Sequence, residues 1–261
     1  MITKFVLTIG CKVAAGLYFM GGMVNLGARA FFWSFRHPFR GGRLFEQSRK
    51  AGMDSLPIVS LVSSFIGIIF ALQTAYQMQK LGSEMYIASI VAVSMVRELG
   101  PVITALVVAG RVGAAITAEI GSMKVTEQID ALETLGSNPI QYLVVPRFVS
   151  LALMLPLLVL YADILGIFGG WLICVYKLGI SSTMYLRLSF DALFYKDLVT
   201  GLIKTVFFGM IIALVSCYHG FNVKGGAEGV GDATRRAVVT SFILIITTDC
   251  FFTALFYFIF P

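Results

Sequence analysis

Charge, cysteine and histidine are all scarce in this chain. Asp, Glu, Lys and Arg make up only 13% of its 261 residues, about half the share of a soluble domain, which excludes a water-bathed surface over most of the molecule. The four cysteines, Cys11, Cys174, Cys217 and Cys250, stand apart in apolar surroundings with no C-x-x-C pair. They exclude a disulfide framework and a zinc site. His37 and His219 are the only histidines and no G-x-S-x-G elbow is present, so Ser-His hydrolysis is excluded as well. No G-x-x-x-x-G-K-S/T loop occurs, and a nucleotide's phosphates have no cradle here.

What is abundant is apolar length. Hydrophobic residues reach 58% and mean hydropathy is +0.88, so the chain reads as one integral membrane domain over 1–261, all-α, with each span needing about 20 residues. Five stretches qualify: Leu56–Gln79, Met85–Ala118, Leu143–Tyr176, Leu198–His219 and Ala237–Phe260. Pro57 suits a first helical turn, whereas Pro101 and Pro156 lie inside spans and predict bends.

Residues 1–50 read as an interfacial helix followed by a basic linker. Lys4, Lys12 and Arg29 interrupt the apolar run from Lys4 to Phe35, and the Phe31-Phe32-Trp33 cluster beside Arg36 and Arg40 suits a helix lying in the membrane surface. Phe5–Gly10 is too short for a secretory core, so no cleavage is expected.

Net charge is +6 with pI near 9.2, but no nucleic-acid recognition module accompanies it, and nucleic acid is not an expected partner. The Lys and Arg residues instead gather at alternate connections. Arg36, Arg40, Arg43, Arg49 and Lys50 precede the first span, Arg111, Lys124 and Arg147 flank the third connection, and Lys224, Arg235 and Arg236 occupy the fifth. By the positive-inside rule the N-terminus is cytoplasmic and Phe258-Ile259-Phe260-Pro261 lies outside.

Arg97-Glu98-Leu99-Gly100-Pro101 interrupts the second apolar stretch with two charges. Each costs roughly 2.5 to 3.5 kcal/mol at the bilayer centre unless it faces protein, water or a polar ligand. Counted inward at 1.5 Å per residue, Arg97 lies roughly 18 Å deep, Asp249 roughly 16 Å and Lys204 roughly 10 Å, so these four charges can pair or line a polar cavity. Arg97 and Glu98 point about 100° apart and predict different partners. Asp163 is also deep, but Gly166 and Gly169 make its span read as a packing helix.

A short helix is predicted on the basic side within 121–139. Val125, Ile129 and Leu132 share one face, Glu127, Asp130 and Glu133 the other, and Gly136-Ser137-Asn138-Pro139 stops it. Acids are wrong for an anionic lipid surface, so a basic protein surface is the better partner.

These residues resemble a known family. Arg97-Glu98-Leu99-Gly100-Pro101-Val102, Ala109-Gly110-Arg111-Val112-Gly113, Ala118-Glu119-Ile120-Gly121-x-Met123 and Thr126-Glu127-Gln128-Ile129-Asp130-Ala131-Leu132 are similar to the MlaE (YrbE) permeases of ABC-type lipid transporters that work with MCE proteins. The resemblance implies a homodimer in the bacterial inner membrane, with five spans, an N-terminal interfacial helix and a cytoplasmic coupling helix. It implies an ABC ATPase partner, an MCE-domain lipid-binding protein, a STAS-domain regulator, and phospholipid as cargo carried toward or from the outer membrane. ATP and Mg would sit on the ATPase, with no cofactor in this chain. Glu127, Gln128, Asp130, Leu132 and Glu133 would then be the ATPase-coupling residues. For acyl chains the outer half of the first span is the best candidate, with Phe70, Thr74, Gln77, Met78 and Leu81 on one stripe.

Two other classes remain. Arg97, Glu98, Lys204 and Asp249 could serve an ion-coupled secondary transporter. Gly229-Val230-Gly231-Asp232 matches an intramembrane aspartyl protease pattern, although that chemistry needs two facing carboxylates and Asp232 lies among Lys224, Arg235 and Arg236.

Overall fold

The computed structural model describes residues 2–35 and 41–259, and these contain helices and no strand. In chain order they are α1 (Ile2–Ser34), α2 (Gly41–Ala51), α3 (Leu56–Lys80), α4 (Glu84–Val125), α5 (Gln128–Thr134), α6 (Ile140–Tyr176), α7 (Ser182–Ala192), α8 (Tyr195–Phe221) and α9 (Gly226–Ile259). Five are long and apolar enough to cross a membrane: α3, which α2 leads into, with α4, α6, α8 and α9. The chain is an all-α integral membrane protein. Arg36, His37, Arg40 and Phe260-Pro261 lie outside the described residues, as do the side chains of Lys4, Cys11 and Lys12.

The spans alternate direction, so α2, α5 and the start of α9 gather at one end, called here the α5 end, and α7 lies at the other. α6 is the hub, with α3, α8, α4 and α2 packed around it. Close approach at that hub depends on missing side chains. A Cβ on Gly67 of α3 would overlap the Gly166 carbonyl of α6, and one on Gly209 of α8 would overlap the Leu151 carbonyl. Small residues at such crossings let backbones touch where lipid supplies no hydrophobic drive.

α4 crosses without a break, but with two π turns, Met95–Leu99 and Ala109–Gly113. Pro101 has no N–H to give the Arg97 carbonyl four residues back, and the first π turn places the extra residue just before it. α6 likewise continues through Pro156 as one helix.

Besides the start of α8, three features differ from expectation. α9 begins at Gly226, well ahead of Ala237, so most of the connection expected between Gly220 and Arg236 is helix. Asp232 therefore sits on α9 rather than in a loop, and pairs with Arg235 at 2.9 Å. α4 runs on through Val125, which is 39% exposed and does not share the face of Ile129. Glu127 takes a left-handed conformation, φ 58°, and starts a new helix at Gln128. The third difference is α7, for which periodicity gave no warning.

α1 is a single helix outside the five spans. Met23 is buried with Val215 and Ala237, Phe19 packs edge-on against Tyr218 at 5.0 Å, and Gly27 faces Leu214. Its contacts thus fall on the last turns of α8, on α9 at Ala237 and on α6, at the α5 end.

Candidate functional site

Lys204 of α8 is 2% exposed, and an ammonium so placed must find several acceptors. Its Nζ lies 2.9 and 3.0 Å from the two carboxylate oxygens of Glu98 on α4, and 3.0 Å from Asp249 Oδ1 on α9. It donates to Thr253 Oγ1 at 2.7 Å and to the Arg97 carbonyl at 3.4 Å, the acceptor that Pro101 cannot serve. Thr253 Oγ1 in turn donates a hydrogen bond to Glu98 Oε1 at 3.0 Å. One cation thus joins three spans. Asp249 Oδ1 is close to Nζ but off its hydrogen-bonding direction, so its attraction is mainly Coulombic.

α8 opens at Tyr195 rather than Leu198, which puts Lys204 roughly 14 Å from its helix end, level with Asp249 at roughly 15 Å. The earlier depth mismatch comes from that boundary. Arg97 turns away from this group and meets Asp197 Oδ1 at 3.4 Å. Asp197 also accepts the Phe194 N–H at 3.2 Å, capping α8. Beside that pair is a cleft of about 550 Å³ lined by Arg97, Phe194, Tyr195, Asp197, Thr200 and Phe256, among others. Asp163 stands apart. It is buried against Gly100, and its Oδ1 has no hydrogen-bond partner.

Thr253 and Asp197 were missed by sequence reasoning. Thr253 is one turn beyond Asp249 on the same helical row, and Asp197 is an acid in a first helical turn, so each left a local signal.

On the outer half of α3, Phe70, Thr74 and Gln77 line one shallow cleft with Leu72, Gln73 and Tyr76. Phe70 and Met78 both pack on the core around Ile87, Val91 and Tyr185. Leu81 lies past the helix end and is 70% exposed. The cleft shares no lining residue with the one beside Arg97.

At the α5 end, Ile129 is buried and Leu132 packs against the main core, while Glu127, Gln128, Asp130 and Glu133 are exposed. Asp130 is held by Lys124 at 2.9 Å. α5 thus seats its apolar side and displays its acids beside a groove that includes Asn25 and Arg29 of α1, Glu133 of α5 and Phe221 of α8. Behind it, the almost fully buried Arg147 of α6 pairs with Glu119 of α4 at 2.8 Å. Arg111 donates to Ser55 at 2.7 Å.

A helix bundle of this kind, with an acidic turn of helix hung between two spans, is matched over residues 44–255 by the family described as Permease MlaE. The chain belongs to the MlaE permease family. A protein of Rickettsia prowazekii named as a probable ABC transporter permease is 48% identical over 206 residues, 79% of this chain and 80% of its own length. A Synechocystis protein of the same description is 41% identical, over 79% and 78% of the two chains. The chloroplastic TRIGALACTOSYLDIACYLGLYCEROL 1 protein of Arabidopsis thaliana is 39% identical, covering 81% of this chain and 61% of its own. As an MlaE permease and ABC permease the chain is a multi-pass membrane subunit. Membership among ABC permeases implies an ATPase partner.

Proposed function

We propose that this permease moves phospholipid across or out of the bacterial inner membrane as a homodimer, driven by a separate ABC ATPase and feeding or draining an MCE-domain protein on the far side, with a STAS-domain regulator on the near side. The observation that carries the reading is the Lys204–Glu98–Asp249–Thr253 group, polar chemistry held at mid-depth by three otherwise apolar spans. Intramembrane ionisable groups of this kind mark substrate paths. The name of the Arabidopsis relative is that of a glycerolipid, which supports lipid as the cargo class. The acidic, exposed side of α5 suits a basic docking surface on the ATPase, and the N-terminus and α5 end are then cytoplasmic.

The test is lipid transfer in proteoliposomes holding the assembled complex, with an acceptor outside. Glu98→Gln should leave assembly and ATP hydrolysis in place and depress transfer. Transfer at the normal rate would remove the functional role of the charge group. Substrate movement by the purified chain alone, under a proton gradient and without an ATPase, would overturn the ATP-driven reading in favour of an ion-coupled transporter.

A further inference from the structure

α7 divides its surface three ways. Taking 100° per residue, Tyr185, Ser189 and Ala192 fall together and face the bundle. Tyr185 and Ser189 are buried, with Tyr185 donating to the Ile167 carbonyl at 3.2 Å. The helix is further fixed by Trp171 Nε1 donating to Ser182 at 3.0 Å and by Ser89 donating to the Leu188 carbonyl at 3.1 Å. The outward crest is Arg187 and Asp191, paired at 3.7 Å with side chains 84% and 68% exposed. Between crest and bundle runs an apolar flank, Leu186 and Phe190, 44% and 72% exposed, which Phe194 and Tyr195 extend at 69% and 82%.

A rigidly mounted helix does not leave two phenylalanines and a tyrosine in water without cause. Its placement says what covers them. Only Leu193 and Phe194 separate α7 from the first turn of α8, a reach of about 7 Å, so the flank stays at the level where a span leaves the bilayer. Tyr176, at the end of α6, is 77% exposed at the same end, and Tyr86, Tyr257 and Phe258 are exposed at the ends of α4 and α9. Together these put exposed aromatic side chains at several helix ends on the α7 side, the kind of residue that gathers at a membrane–water interface.

We infer that α7 is an interfacial foot, lying in the leaflet opposite the α5 end with Leu186, Phe190 and Phe194 among the lipid chains and Arg187 at the headgroups. The occupant of this face is the phospholipid surface itself rather than a protein partner. This geometry is that of a surface helix with apolar and charged sides, and it stands whether or not phospholipid is the cargo.

The experiment places a benzophenone amino acid at Phe190, and separately at Asp191, a quarter-turn or more away on the polar side, in the full chain within the assembled complex. The complex is reconstituted in vesicles of phosphatidylethanolamine and phosphatidylglycerol and illuminated. Phe190 should give several-fold more lipid adduct than Asp191 by mass spectrometry, and the ratio should persist with the permease alone. Equal adducts at both positions, or cross-links from Phe190 to a protein subunit in place of lipid, would overturn the assignment. Because no ATP or transfer is involved, a failed transport assay leaves this result untouched.

Discussion

Lys204 and Arg97 sit at similar depth, yet their surroundings predict very different consequences of removal. Lys204 is 2% exposed and holds two carboxylates, a hydroxyl and a carbonyl. Replacing it with Met leaves Glu98 and Asp249 facing each other uncompensated inside the bundle, a loss of about 3–5 kcal/mol on the soluble-protein scale. Arg97 has a half-exposed side chain and a single carboxylate contact at 3.4 Å, so Arg97→Ala should cost about 1 kcal/mol or less. Thermal denaturation in detergent should rank Lys204→Met far below wild type and Arg97→Ala close to it. The opposite ranking would mean that the Glu98 contact is incidental. The residue types at this site were legible in the sequence, since charges in apolar runs announce themselves. Their pairing was not, because it depends on where each helix starts and which way it is turned. Asp197 and Thr253 shape the group through helix phase, which a single span cannot reveal.

At the scale of elements, the five spans were legible from length and hydropathy alone, and α7 was not. Its apolar positions are split between a face on the bundle and a flank beside it, so no simple stripe emerges. The acidic helix was legible in kind but not in extent. Apolar spacing groups Val125 with Ile129, yet the left-handed turn at Glu127 puts them on separate helices. Glycine rows show the same limit. Spacing alone treats Gly110 as equal to Gly113 and Gly121, but packing separates them. Around Gly110 the nearest atom to an added Cβ is Phe242, at 4.0 Å, while at Gly209 the Cβ would overlap the Leu151 backbone. Gly110→Ala should therefore be neutral or stabilise α4 by a few tenths to about 1 kcal/mol. Gly209→Ala should destabilise by about 1–3 kcal/mol, since backbone cannot swing aside as a side chain can. Melting temperatures of the two variants test this directly, and equal losses would show that α8 and α6 do not touch as closely as the fold requires.

For the whole molecule, the question is how an event at the α5 end reaches charges buried in the spans. The described basic residues at that end include Arg43, Arg49, Lys50, Lys124, Lys224, Arg235 and Arg236, while the other end has Lys80, Lys177, Arg187 and Lys196. By the positive-inside rule that asymmetry supports the proposed placement of the α5 end on the cytoplasmic side. α5 is the acidic exception on a basic end, and the short turn through Thr126 and Glu127 tethers it to α4. Two residues separate α5 from the helix that carries Glu119, paired to the buried Arg147, and farther along Glu98, paired to Lys204. A push on α5 therefore acts on a helix tied to α6 near one end and to α8 at mid-depth. Asp130 is a poor probe of docking, because Lys124 already holds it and its reversal would loosen α5 itself. Glu127 and Glu133 are exposed and test the surface more cleanly. Reversing both to Lys should weaken ATPase association by about tenfold or more, mostly through attraction that salt screens, so the wild-type complex should also loosen between low and high salt. The permease should keep its melting temperature, since neither side chain is buried. ATPase co-purification and stimulated hydrolysis that survive the double reversal at physiological salt would show that the enzyme grips this chain somewhere other than α5.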